Sequence, residues 1–232
     1  MINSVCIFGD SLSKGIIFDS VMKKYILLKD CFANMIKTSS NIIVKNYSKF
    51  GSTISKGLET LYQHKDELIN FDYIALEFGG NDCNFDWGEI STYPGKEHLP
   101  HTPLDLFMLK YIEMINEVKK CGSFPVLLTL PPIVSQKYFS WISRELNAEN
   151  ILHWLGDVEQ ISRWHQKYNL AIYQLAKNCC TPLIDINREF LKITNLQNLF
   201  CEDGIHPNKE GHKLISSIID NSISQYRAAF SS

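Results

Sequence analysis

The sequence has almost no excess of charge of either sign: 23 basic and 25 acidic residues among 232 leave a formal net charge of -2. That balance creates no field suited to nucleic acid or an anionic membrane surface as the main partner. No run approaches the roughly 20 apolar residues of a membrane-spanning helix. The start, Met1 to Phe8, has no basic segment, and its short apolar run leads directly into Gly9-Asp10-Ser11, so it does not read as a signal peptide. The seven cysteines, Cys6, Cys31, Cys83, Cys121, Cys179, Cys180 and Cys201, are odd in number, show no paired metal-ligand spacing and include an adjacent pair. Reduced thiols and a cytoplasmic location are the expectation. Internal repeats, low-complexity tracts and linkers are missing, so residues 1–232 read as one domain. A hydrophobic content of 45% suffices for a sizeable core.

What is present is an alternation. Short apolar runs at Ser4 to Phe8, Ile42 to Val44, Tyr73 to Phe78, Pro125 to Leu130 and Pro182 to Ile186 are separated by segments long enough for a helix. Such spacing predicts parallel strands joined by helical crossovers. Leu104, Phe107, Met108, Tyr111, Ile112, Ile115 and Val118 follow helical periodicity, as do Leu214, Ile215, Ile218, Ile219 and Tyr226. Both segments read as amphipathic helices covering a sheet.

Four short segments carry chemistry: Gly9-Asp10-Ser11-Leu12, Gly51, Asn81, and Asp203-Gly204-Ile205-His206. Acyl transfer needs an alcohol nucleophile, an imidazole to take its proton, a carboxylate to orient the imidazole, and donors for the oxyanion. Ser11, His206 and Asp203 have the first three residue types, and Gly51 with Asn81 can supply donors. Asp203 and His206 lie three residues apart, so one loop can present both. Each residue also has an ordinary reading: Ser11 as a helix cap, Asn81 as a turn former, Gly51 as a positive-φ position, and Glu202 as a competing acid. Asp10 and Asp82 read as loop organisers rather than substrate contacts.

Taken together, the blocks around Ser11, Gly51, Gly80-Asn81-Asp82 and His206-Pro207 resemble those of the SGNH hydrolases, also called GDSL esterases and lipases. The resemblance runs along nearly the whole chain, and four ordered blocks are far more specific than a lone Gly-Asp-Ser. It implies a three-layer α/β/α sandwich with a five-stranded parallel sheet, flavodoxin-like. It also implies a Ser11-His206-Asp203 triad, and an oxyanion hole from the Ser11 and Gly51 amides with the Asn81 side chain. No cofactor or metal is expected. The family covers acetylated sugars, lysophospholipids, acyl thioesters and simple esters. Without a long apolar stripe, a small soluble ester, such as an acetylated carbohydrate, is the expected substrate.

The one long irregular segment, Cys83 to Pro103, reads as a lid or binding loop. Its Phe85, Trp87 and Tyr93 are candidate substrate contacts, whereas Trp141, Trp154 and Trp164 individually read as packing residues. His98 and His101 read as surface histidines. Two other classes compete. A two-metal phosphoesterase is disfavoured because the histidines of Asp-x-His and Gly-Asn-His-Asp patterns are missing. A non-catalytic binding module is disfavoured because all five site positions carry working residue types.

Overall fold

Five short apolar segments pair in parallel to form the central sheet of the computed structural model, which describes residues 2–39 and 41–229, without the side chains of 226–229. The strands are β1 (Ser4–Gly9), β4 (Ile43–Asn46), β5 (Tyr73–Glu77), β6 (Phe124–Leu128) and β7 (Leu183–Ile184), in spatial order β4-β1-β5-β6-β7. Register pairs Ile7 with Ala75 and Ala75 with Val126. All five strands lie where the apolar runs predict them.

Side chains alternate across the pleat. Cys6, Phe8, Ile74, Leu76 and Leu127 enter one core, and Ile7, Ala75 and Leu128 enter the other. The first core is closed by α3 (Ile54–Gln63), α5 (Leu104–Lys120) and α8 (Gln160–Asn178). The second is closed by α2 (Phe32–Ser39), α9 (Ile186–Leu191) and α10 (Lys209–Ala229). This is the three-layer α/β/α architecture. Continuous apolar strands, unlike alternating ones, are what a sheet covered on both faces requires. Each fully enclosed side chain, such as Phe8 or Leu76, adds roughly 1.5–3 kcal/mol relative to exposure.

Both expected amphipathic helices form. Phe107, Tyr111, Ile115 and Val118 of α5 face the first core, and Ile215 and Ile219 of α10 face the second; the side chain of Tyr226 lies outside the described residues. Two features were not expected. The antiparallel hairpin β2 (Ile16–Asp19) and β3 (Lys24–Leu27) follows the short helix α1 (Ser11–Lys14). A third apolar cluster, built from Phe85, Ile90, Tyr138, Ile151, Leu155 and Ile161, joins α4 (Trp87–Thr92), α6 (Ser135–Ser143), α7 (Ala148–Leu155) and the start of α8.

The segment 83–103 is therefore not irregular throughout. Asp86 caps α4 by accepting from the Glu89 amide at 2.9 Å, and Ile90 is fully buried against the third cluster. All seven cysteines are free thiols. Among the described residues no helix is long and apolar enough to cross a membrane.

Candidate active site

β1 ends at Gly9, and the chain turns at once into α1, so Ser11 stands beyond the carboxyl end of a buried strand. Ligands of open α/β sheets bind there. Asp10 fixes the turn: its Oδ1 accepts from the Leu12 amide at 2.9 Å. Behind it, Glu77 at the end of β5 accepts from the Ser13 hydroxyl at 2.8 Å.

His206 reaches Ser11 from a separate loop. Cys201 N donates to His206 O at 2.9 Å, and Phe200 pairs with Pro207 as an isolated bridge, so the loop closes on itself. Gly204 permits its tight course: φ is +74°, and a Cβ there would fall 2.7 Å from the Tyr138 amide nitrogen. The result is a continuous relay. His206 Nε2 is 2.8 Å from Ser11 Oγ, and Nδ1 is 2.6 Å from Asp203 Oδ2. The other oxygen of Asp203 accepts from the His206 and Ile205 amides at 3.1 and 3.2 Å. Asp203 is fully enclosed. Burial alone would raise its pKa, but the hydrogen bond and charge of His206, with the two amides, hold it below the usual carboxylate value. Glu202, the competing acid, points to solvent and pairs with Lys23 at 3.4 Å.

Gly51 and Asn81 lie beside this relay and line the same cavity as Ser11. Gly51 has φ +69° and open space where a Cβ would stand, so its backbone conformation, not protein crowding, is what favours glycine. Asn81 Nδ2 donates to Asp10 Oδ2 at 2.9 Å and to Ser52 O at 3.2 Å. Asp82 accepts from the Ile54 amide at 3.0 Å, tying the Asn81 loop to the start of α3 just beyond Gly51. Burial raises Asp82 to about 6. Burial, and then the charge of Asp10, hold Glu77 well above its ordinary value, and burial also raises Asp10 above its own.

The cavity is about 350 Å³. Phe85 and Trp87 line it, joined by Trp154 and Trp164, which serve both as packing and as wall. Tyr93 does not line it; it is half exposed, with Lys96 Nζ 4.0 Å above its ring. His98, expected at the surface, instead has a buried ring that lines the cavity and meets Tyr93 O at 2.9 Å. His101 remains exposed and contacts Asn81 O through Nδ1 at 3.1 Å. Tyr25 and Phe50 flank His206, with ring centroids at 5.2 and 6.3 Å.

His165 of α8, which sequence reasoning passed over, also lines the cavity. The available signal was its position in the inward stripe Ile161, His165, Tyr168 and Ile172, where a polar residue is out of place. Among the described residues no three His, Cys, Asp or Glu side chains converge as a metal site.

The family model for GDSL-like lipase/acylhydrolase matches residues 5–219. This chain belongs to that family. A GDSL esterase/lipase of Arabidopsis thaliana, CPRD49, is 23% identical over 185 residues, covering 78% of this chain and 65% of that relative's length. Among solved structures, a lipase/acylhydrolase from Enterococcus faecalis superposes with a TM-score of 0.70 at 18% identity, covering 97% of each chain. Axe2, an acetylxylan esterase from Geobacillus stearothermophilus, gives 0.64 at 16% identity over 94% of this chain and 92% of that one. At these identities the structural likeness establishes the SGNH hydrolase fold.

Proposed function

We propose that this chain hydrolyses carboxylic esters by two-step acyl transfer, with Ser11 as nucleophile, His206 as general base and then acid, and Asp203 as the orienting carboxylate. The single observation that carries this reading is the unbroken Ser11–His206–Asp203 relay, at 2.8 and 2.6 Å. Ser11 Oγ attacks the ester carbonyl while its proton passes to Nε2; the protonated imidazole returns it to the departing alkoxide. Water then attacks the acyl-enzyme by the same route in reverse. The oxyanion is held by the amides of Ser11 and Gly51 and by the Asn81 side chain, which exchanges its longer contact with Ser52 O for the substrate. Asp203 keeps the Nδ1 proton in place and stabilises the imidazolium.

The substrate side of the proposal is a small, uncharged ester, with acetyl esters, including those of carbohydrates, as the leading class. Membership of the GDSL family and the modest cavity support it. The test is turnover of p-nitrophenyl acetate, butyrate, octanoate and palmitate by wild type and Ser11→Ala, with and without a chelator. Turnover that needs Ser11, ignores the chelator and falls with chain length is expected. Full activity in Ser11→Ala, or loss on chelation, refutes the proposal.

A further inference from the structure

Among the described residues that line the cavity, three carry an enclosed side-chain polar atom with no hydrogen-bond partner, Glu77 Oε1, Trp164 Nε1 and His165 Nδ1, and none of the three belongs to the relay or the oxyanion donors. His165 is 4% exposed, on the inward stripe of α8. Its Nδ1 is enclosed with no hydrogen-bond partner, and no other protein group among the described residues bonds the ring. Native proteins seldom leave a buried polar group unpaired, and each exception calls for an explanation. Nδ1 is sealed off, whereas Nε2 is not enclosed and has no hydrogen-bond partner among the described residues, so Nε2 is the nitrogen that can meet a ligand in the cavity His165 lines. Burial lowers its pKa to about 4, so the imidazole is neutral at pH 7 and offers one hydrogen bond without charge.

The surrounding wall defines what such a hydrogen bond would meet. Phe85, Trp87, Trp154 and Trp164 supply aromatic faces. Among the described residues no lysine or arginine lines the cavity, whereas Asp10 and Glu77 do, so an anionic group would find no counter-charge there. At roughly 30 Å³ per water-sized group, the cavity accepts about a dozen heavy atoms, enough for an aryl ring with a short ester arm.

Resting on the ester-hydrolase reading above, we propose that His165 is a specificity-determining residue that hydrogen-bonds an uncharged ring hydroxyl, making hydroxyaryl esters the preferred substrates of this site. The ring occupies the aromatic cavity and its hydroxyl meets the cavity-facing edge of the imidazole. A hydroxyl can donate to or accept from that edge, so either neutral tautomer serves.

The test uses Ser11→Ala, which leaves the ester intact, titrated by tryptophan fluorescence because three tryptophans line the cavity. Two matched pairs of ligands place the ring on either side of the carbonyl: methyl 3-(4-hydroxyphenyl)propanoate against methyl 3-phenylpropanoate, and 2-(4-hydroxyphenyl)ethyl acetate against 2-phenylethyl acetate. The hydroxylated member of at least one pair should bind about tenfold more tightly, the effect of roughly 1.4 kcal/mol. Adding His165→Leu should bring that pair level, and His165→Gln should retain part of the preference. Circular dichroism melting checks that each variant folds, and the glutamine variant decides the matter if the leucine variant does not.

Equal binding within both pairs, or a preference that survives His165→Leu, overturns the assignment. Wild-type turnover of the same esters separates the two claims. A His165-dependent preference without turnover removes the hydrolase reading alone, and turnover without the preference removes this inference alone.

Discussion

Replacing Asp203 by asparagine removes one charge and leaves the shape of the loop intact. The magnitude follows from the geometry. During attack on the ester, His206 becomes an imidazolium whose Nδ1 lies 2.6 Å from a fully buried carboxylate oxygen. With charge centres about 4 Å apart and an effective dielectric near 20, that contact is worth about 4 kcal/mol in the transition state, or roughly a thousandfold in rate. An asparagine amide can also donate to Nδ1 and so stabilise the wrong tautomer, which extends the loss to roughly ten-thousandfold. Stability should change little, because the asparagine Oδ1 can still accept from the Ile205 and His206 amides. The assay is kcat on p-nitrophenyl acetate at pH 8 beside a thermal melt, with Glu202→Gln as the control. Glu202 pairs with Lys23 at the surface and should be silent. Activity of Asp203→Asn within tenfold of wild type would refute the reasoning.

Three further outcomes are expected. Burial, and then the charge of Asp10, raise Glu77 well above its ordinary value, so Glu77→Gln should melt close to wild type at pH 5 and gain on it as pH rises. The sign follows from a folded-state pKa raised above the unfolded one: that stabilisation is full at low pH and fades as pH climbs. A large loss in the glutamine variant at pH 5 would show that the carboxylate form is needed. His165 and His212 run the other way. Burial lowers both to about 4 from 6.5, so stability is full above pH 6.5 and falls towards pH 4 by about 3 kcal/mol for each. Urea midpoints of His165→Leu should therefore depend less on pH in that window than those of wild type, and an unchanged slope would contradict the assignment. Asn81→Ala should lower kcat by roughly a hundred- to a thousandfold, the usual cost of one oxyanion donor; a change in KM alone would count against it.

The parallel sheet was legible because its strands are buried on both faces and so read as unbroken apolar runs. The relay residues were legible because they sit in short motifs next to those runs. The hairpin of β2 and β3 was not: its turn carries no Asn-Gly or Asp-Gly signal, and Lys23 adopts φ +51° without being glycine. Tyr93 and His98 were exchanged in expectation because the turn after α4 decides which side chain faces inward. His98 hydrogen-bonds the Tyr93 carbonyl and sends its ring towards Trp154, while the Tyr93 ring turns out under Lys96. His165 was hidden by its place in an ordinary amphipathic stripe, since only packing shows that none of the described residues hydrogen-bonds it.

If Ser11 carries the acyl group between two steps, intact-protein mass spectrometry on an acid-quenched reaction with p-nitrophenyl acetate will catch it there. A gain of one acetyl group is expected, located by peptide mapping on the segment containing Ser11 and lost in Ser11→Ala. Turnover with no acetylated enzyme on rapid quenching, or acetylation that persists in Ser11→Ala, would contradict it.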